Sequence, residues 1–171
     1  TDGDQSGYSV FLSSDGQTVA IGARDNDDNG SNSGHVRIYN FDGSQWIQLG
    51  DDIDGESVDD ESGWSVSLSS DGQTVAIGAR YNDDNGLNSG HVRIYNFDVS
   101  QWIQLGDDID GDLVNDQSGY SLSLSSDGQT VAIGARYNDG NGSNSGHVKI
   151  FRVLGCTDSL ACNYNPNVNT D

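Results

Sequence analysis

The chain repeats itself with a period of 56 residues. Gly7-Tyr8-Ser9-Val10 returns as Gly63-Trp64-Ser65-Val66 and again as Gly119-Tyr120-Ser121-Leu122. Residues 7–62 and 63–118 differ at only nine positions, and a third copy runs from Gly119 to about Phe151 before the match stops. A repeat of this length is one supersecondary unit that buries its apolar residues against its neighbours, so the architecture is an array of similar units. The chain divides accordingly into the end of a preceding repeat (1–6), repeat 1 (7–62), repeat 2 (63–118), an incomplete repeat 3 (119–153) and a C-terminal tail (154–171).

Each copy reads as four short strands punctuated by turn residues. Tyr8–Ser13 alternates Tyr8, Val10 and Leu12 with Ser9, Phe11 and Ser13, and Asp15-Gly16 turns the chain, because glycine accepts positive φ at little cost. Thr18–Arg24 follows, with Val19, Ile21 and Ala23 on one face and Ala20 and Gly22 on the other. Small residues on that second face suit a sheet with another sheet packed closely over it. The loop Asp25–Ser33 carries no apolar residue. Gly34–Phe41 sets Val36 and Ile38 opposite His35, Arg37 and Tyr39, and Asp42-Gly43-Ser44 leads into the Trp46 strand, Gln45–Leu49. No segment shows a helical period. Four antiparallel strands repeated at this spacing predict an all-β fold of propeller blades, here a partial β-propeller, with a β-solenoid as the alternative. Repeat 3 lacks a Trp strand and the chain opens on what looks like the tail of another copy. The Trp strands are therefore expected to complete the blades that follow them, and the open faces to be closed by further sequence or by another chain.

The residues also carry a resemblance. Gly7-Tyr8-Ser9-Val10, then Asp15-Gly16-Gln17-Thr18-Val19-Ala20-Ile21-Gly22-Ala23, then Gly34-His35-Val36-Arg37-Ile38-Tyr39 resemble the FG-GAP repeat of integrin α subunits and of many bacterial and algal surface proteins. The resemblance implies a propeller used outside the cell for adhesion or ligand display, with a protein or glycan, or other copies of itself, as partner. The tail, Gly155-Cys156-Thr157-Asp158 to Ala161-Cys162-Asn163-Tyr164-Asn165, resembles a Cys-containing module of secreted marine proteins, stopping before the Asp-Gly-Ser-Cys that usually follows.

Charge narrows the partners. There are 27 acidic residues against 7 basic ones, a net charge of −20, which repels phosphate backbones and anionic lipid and attracts cations. No apolar run approaches the ~18 residues that a membrane-spanning helix requires, so no direct membrane insertion is expected. The absence of methionine makes Thr1 an unnatural translation start and points to a processed protein or an interior piece. Cys156 and Cys162, in a polar segment, suit a local disulfide in an oxidising compartment; two thiols fall short of a structural zinc site.

Several residues invite a chemical reading. Asp25-Asn26-Asp27-Asp28-Asn29-Gly30 places oxygen donors at alternate positions before a glycine, as calcium loops do. Asp25, Asp27 and Asn29, with Asp83 and Asn85, and Asp139 and Asn141, are the candidate Ca²⁺ ligands; the other reading is an Asx-turn loop that satisfies its own backbone. The family's calcium loop lies between the first and second strands. Here that connection is only Ser13–Gln17, so the family's site does not carry over. Asp51-Asp52-Ile53-Asp54-Gly55 and its copy 107–111 form a second acidic cluster, also readable as a solvated turn between blades. Asn29 and Asn141 head N-glycosylation sequons. His35, His91 and His147 recur at one repeat position and are expected to be structural, hydrogen-bonding at a strand entry. The basic residues recur at two positions, where each can pair with local acid. Nothing singular suggests a nucleophile and its base, so the expectation is a non-catalytic extracellular interaction module. The alternative is a building block of a surface layer, filament or appendage.

Overall fold

The computed structural model describes residues 2–153. These form thirteen strands in three antiparallel sheets, with no helix among the described residues. In repeat 1, β1 (Ser9–Leu12), β2 (Thr18–Ala23), β3 (His35–Phe41) and β4 (Trp46–Gln48) pair in order, and β5 (Ile53–Asp54) also pairs with β3. Repeat 2 copies this with β6 (Ser65–Leu68), β7 (Thr74–Ala79), β8 (His91–Asp98), β9 (Gln101–Gln104) and β10 (Ile109–Asp110); repeat 3 contributes β11 (Ser118–Leu124), β12 (Thr130–Ala135) and β13 (His147–Arg152). Each sheet is a blade, and three blades make a partial propeller.

Two features differ from the sequence expectation. The Trp strands do not complete the following blade. Trp46 pairs with Phe41 and Trp102 with Phe97, inside their own repeats. Across the junction the contact runs backward, since the Trp102 indole Nε1 donates to the Leu49 carbonyl at 2.7 Å. The segment 51–55, read as a loop, contains β5. Ile53 pairs with Val36 while Gln48 pairs with Tyr39, so β4 and β5 are the two halves of one broken outer strand. A run with three aspartates in five residues hides its one core residue: Ile53 is buried among Ala20, Val36 and Ile38.

The core lies between blades rather than within them. Ala20, Val36, Ile38 and Ile53 of repeat 1 pack on Val66, Leu68, Val75, Ile77 and Tyr95 of repeat 2. Ala76, Val92 and Ile94 of repeat 2 meet Leu124, Val131 and Ile133 of repeat 3 in the same way. The terminal blades show what a neighbour covers. Leu12 is 53% exposed where Leu68 is 2%, and Ile150 is 73% exposed where Ile94 is 3%. Each such burial contributes roughly 1.5–3 kcal/mol, so the blades stabilise one another.

The small face of β2 is where the backbones come closest. A Cβ on Gly22 would fall under 3.0 Å from the Gly63 carbonyl oxygen of the next blade, and one on Gly78 equally close to that of Gly119. Ser9 Oγ donates to the Gly63 carbonyl and Ser65 Oγ to that of Gly119, both at 2.7 Å. At the opposite end of the inner strands, the Ser70 carbonyl accepts from Ser14 N at 3.2 Å and the Ser126 carbonyl from Ser70 N at 2.9 Å.

The segment 55–62 joins successive blades. Gly55 N donates to the Gly34 carbonyl, and Asn29 Nδ2 to the Gly55 carbonyl at 2.8 Å; Glu61 N and Ser62 N donate to the Asn32 and Ser33 carbonyls. The same segment then hands its buried Asp60 carboxylate forward to Asn82 Nδ2, at 3.3 Å. Asp4 with Asn26 and Asp116 with Asn138 repeat this link at 3.1 and 2.9 Å.

Candidate functional site

The β2–β3 loops, the joining segments and the entries to the inner strands all lie at one end of the blades, here the loop end. The Asp15-Gly16 and Asp42-Gly43 turns lie at the other. Of the nine differences between repeats 1 and 2, seven are at the loop end: positions 8, 25, 31, 56, 57, 59 and 61, against their partners 56 residues later. Within the strands only Phe11 and its partner Ser67 differ, and the loop end varies. Val58, Leu87, Leu113 and Val114 stand exposed there.

Near the inner strands a ladder of rings and guanidinium groups crosses the junctions. The Tyr8 and Trp64 centroids are 4.6 Å apart and those of Trp64 and Tyr120 5.5 Å. Arg24 lies over Tyr8 at 4.3 Å, Arg80 over Trp64 at 3.2 Å, and Arg136 over Tyr120 at 5.0 Å. The face of a ring attracts a cation, and Glu61 adds ion pairs to Arg24 at 3.5 Å and Arg80 at 3.1 Å. Pairing with local acid was the sequence expectation for these arginines. The ring ladder was not anticipated, although an aromatic residue and an arginine each recurring at one repeat position were its signal.

Toward the outer strand, each histidine stands at the start of a third strand. His35 and His91 are buried, and the Nδ1 of each has no hydrogen-bond partner. Their burial suits a structural role, but neither Nδ1 makes a hydrogen bond at the strand entry. The nitrogens face carboxylates instead. His35 Nδ1 lies 3.8 Å from Asp28 and 3.7 Å from Asp52, and His91 Nδ1 lies 3.4 Å from Asp108. Desolvation, reinforced by Arg37, lowers the pKa of His35; desolvation, reinforced by Arg93, lowers that of His91 to about 4. Burial thus favours the neutral form of both rings. Asp28, His35 and Asp52 form one group of donors, and Glu56, Asp84, His91 and Asp108 another, with the ligand atoms of each within 4.8 Å of one another.

The basic residues of the third strands divide these acids unequally. Arg37 grips Asp52, Nε at 2.9 Å from both oxygens and Nη2 at 2.6 Å from one, and the pair lowers the Asp52 pKa. Arg93 turns the other way, to Glu56 at 3.1 Å and the Asp54 carbonyl at 2.8 Å. Lys149 likewise pairs with Asp112.

The calcium candidates are placed differently. Asp27, Asp83 and Asp139 each accept from the backbone N–H five residues on, at Asn32, Asn88 and Asn144. Asn29 and Asn85 donate across to the carbonyls of Gly55 and Gly111. Asp25 pairs with Arg24 at 3.4 Å and receives the Gln5 amide. Asn141 is exposed on its loop. Among the described residues, none of Asp25, Asp27, Asp83 and Asp139 joins a group of three His, Cys, Asp or Glu donors. Both sequon asparagines, Asn29 and Asn141, are exposed. Cys156 and Cys162 lie outside the described residues.

Blades that bury their apolar faces only against one another define a propeller-type repeat array. The FG-GAP repeat model matches three times, over residues 1–39, 53–95 and 109–151, and the chain belongs to that family. The two longer matches open at Ile53 and Ile109, the first residues of β5 and β10. Among solved structures, one similar chain is described as a putative 6-phosphogluconolactonase from Bacteroides uniformis, at 17% identity and a TM-score of 0.56, covering 85% of this chain and 36% of that one. Another belongs to a complex of KlAtg21 with the coiled coil of AgAtg16, at 13% identity and a TM-score of 0.58, covering 84% and 39%. At such identities the likeness shows the fold alone, and this chain spans little more than a third of each. No curated protein sequence matches it. No helix among the described residues is long and apolar enough to cross a membrane.

Proposed function

We propose that the chain is part of a non-catalytic, extracellular adhesion module whose loop end contacts a protein or glycan ligand. The observation that carries this reading is the placement of the differences between copies. The strands and their packing are repeated almost unchanged, while residues at one end change character, as with Ser31 to Leu87 and Ser57 to Leu113. Binding residues are disproportionately set on loops held by a rigid scaffold. The residues with chemical potential recur with the blade, which suits repeated recognition better than a single reaction centre. The net charge of −20 favours ligands that are neutral or basic.

The test is ligand capture by the immobilised chain on glycan and extracellular-matrix arrays, with a Leu87→Ser/Leu113→Ser variant alongside. Repeat 1 already carries serine at both places, so the variant folds. We expect capture to fall several-fold in it and to be unchanged in Val99→Gly, at the opposite end. Loss of capture in Val99→Gly alone would place the contact elsewhere.

A second reading, a block that tiles a larger surface, is favoured by the near-identity of repeats 1 and 2, which differ at only nine positions. A concentration series in light scattering separates the two, since a tiling block assembles without ligand.

A further inference from the structure

The geometry points to a divalent transition-metal site at the loop end of the second blade, formed by His91, Asp84 and Asp108, with Glu56 reaching in from the first repeat. An acidic cluster alone would not suffice, because carboxylates gather on any surface this acidic. The independent observation is the imidazole. His91 is 1% exposed, its Nδ1 has no hydrogen-bond partner and lies 3.4 Å from Asp108, and the ligand atoms of Glu56, Asp84, His91 and Asp108 all lie within 4.8 Å of one another. A buried polar atom left unpaired is destabilising, and a bound cation would give it a partner.

The donor set suits a particular class of ion. One imidazole nitrogen with carboxylate oxygens fits zinc and its first-row neighbours, whereas calcium takes oxygen ligands only. Bonds of about 2.0–2.1 Å in a tetrahedral site set neighbouring ligand atoms roughly 3.4 Å apart. The separation of His91 Nδ1 and Asp108 Oδ2 is 3.4 Å. Asp108 is held in place by Gln104 Nε2 at 2.5 Å, and Asp84 by Asn82 Nδ2 at 3.3 Å. Such outer contacts orient ligands before the metal arrives.

The copies rank themselves. In repeat 1, Arg37 already occupies Asp52, the counterpart of Asp108, so its affinity is lower. In repeat 3, Gly140 stands where Asp28 and Asp84 stand, and His147 lacks that ligand. In repeat 2, Arg93 engages Glu56 and leaves Asp108 and Asp84 to the ion.

The experiment is calorimetric titration of the chain with Zn²⁺ in the presence of excess Ca²⁺ and Mg²⁺, backed by the visible spectrum of the Co²⁺ form. We expect one saturable high-affinity site per chain. His91→Gln and Asp84→Asn should each weaken it at least tenfold, and His147→Gln should leave it unchanged. Asp84 is exposed, so its variant keeps the test valid if the buried His91→Gln chain fails to fold. A Cys156→Ser/Cys162→Ser chain should bind as the parent does. Zinc binding that survives Asp84→Asn, disappears with the cysteines, or is displaced by the alkaline-earth ions would overturn the proposal.

Discussion

Alanine at the small face of the second strand should separate the cost of a blade junction from the cost of a strand. Gly22, Gly78 and Gly134 hold the same repeat position, and none has positive φ, so backbone strain does not enter. At Gly22 and Gly78 a new methyl would press within 3.0 Å of the carbonyl oxygen of the next blade. It would also press on a serine hydroxyl, Ser9 or Ser65, that is committed to that same carbonyl. Neither can yield without moving one blade off the other. At Gly134 the methyl meets only the Ser121 hydroxyl at close range, and the nearest backbone atom is the Ser121 carbonyl oxygen at 3.5 Å. A single side chain can rotate away. Overpacking of this kind costs about 1–3 kcal/mol, while alanine for glycine at a tolerant site gains about 0.4–1 kcal/mol from the unfolded state. With a urea m-value of about 2 kcal/mol/M, Gly22→Ala and Gly78→Ala should each lower the midpoint by roughly 0.5–1.5 M. Gly134→Ala should leave it level or slightly raised. The assay is urea unfolding followed by far-UV circular dichroism and tryptophan fluorescence. An equal loss in all three variants would mean that the glycines serve the strand, and the junction argument would fail.

Five further substitutions probe single interactions. Val99 is a β-branched residue at φ 55°, in the turn where repeat 1 has Gly43, so Val99→Gly should stabilise by about 1 kcal/mol, read as a higher melting temperature. Trp102→Phe removes the indole bond to the Leu49 carbonyl and should cost about 1 kcal/mol, whereas Trp46→Phe, at a half-exposed ring, should cost less than half of that by the same urea assay. The pKa of buried Asp60 is raised, chiefly by desolvation, so the folded state takes up its proton first as pH falls. The stability it contributes is complete below its unfolded value of about 3.9 and is lost as pH rises through the folded value. Asp60→Asn keeps an oxygen for Asn82 and Ser57 and should flatten that pH dependence with little loss at pH 7. Asp60→Ala should cost about 1–3 kcal/mol in the same titration.

What was legible in the residues was whatever depends on local periodicity. Val19, Ile21 and Ala23 alternating with Ala20 and Gly22 announced both a strand and a close neighbour, and both are present. Asp15-Gly16 announced its turn. The outer strand was only half legible, because β5 is two residues long and lies among aspartates that read as solvent-facing. Its pairing is set by β3, which lies some twenty residues earlier. The same limitation applied to the site. Asp25, Asp27 and Asn29 drew attention because they are close in sequence, yet Asp27 holds its own loop and Asn29 ties that loop to the joining segment. The group that converges on a buried imidazole takes residues 28, 35 and 52, or 84, 91 and 108, which only the broken outer strand brings together. The recurrence of each at 56 residues was visible, but nothing local to any of them shows that they meet.

The joining segment has a consequence for how such a gene can change. Each junction is made by the same atoms: serine to glycine carbonyl on the inner strand, asparagine to glycine carbonyl at the loop, and asparagine to aspartate across the boundary. Unequal recombination between two copies that adds or removes a whole period therefore rejoins a matching left half to a matching right half, wherever the crossover falls. The product carries one blade more or fewer and no novel interface. A slip by any other length puts apolar side chains on the wrong face, because strand side chains alternate. The array can thus lengthen and shorten in whole blades while its strands and joining segments keep matching, and the loop positions that make no contact across a junction can diversify one copy at a time.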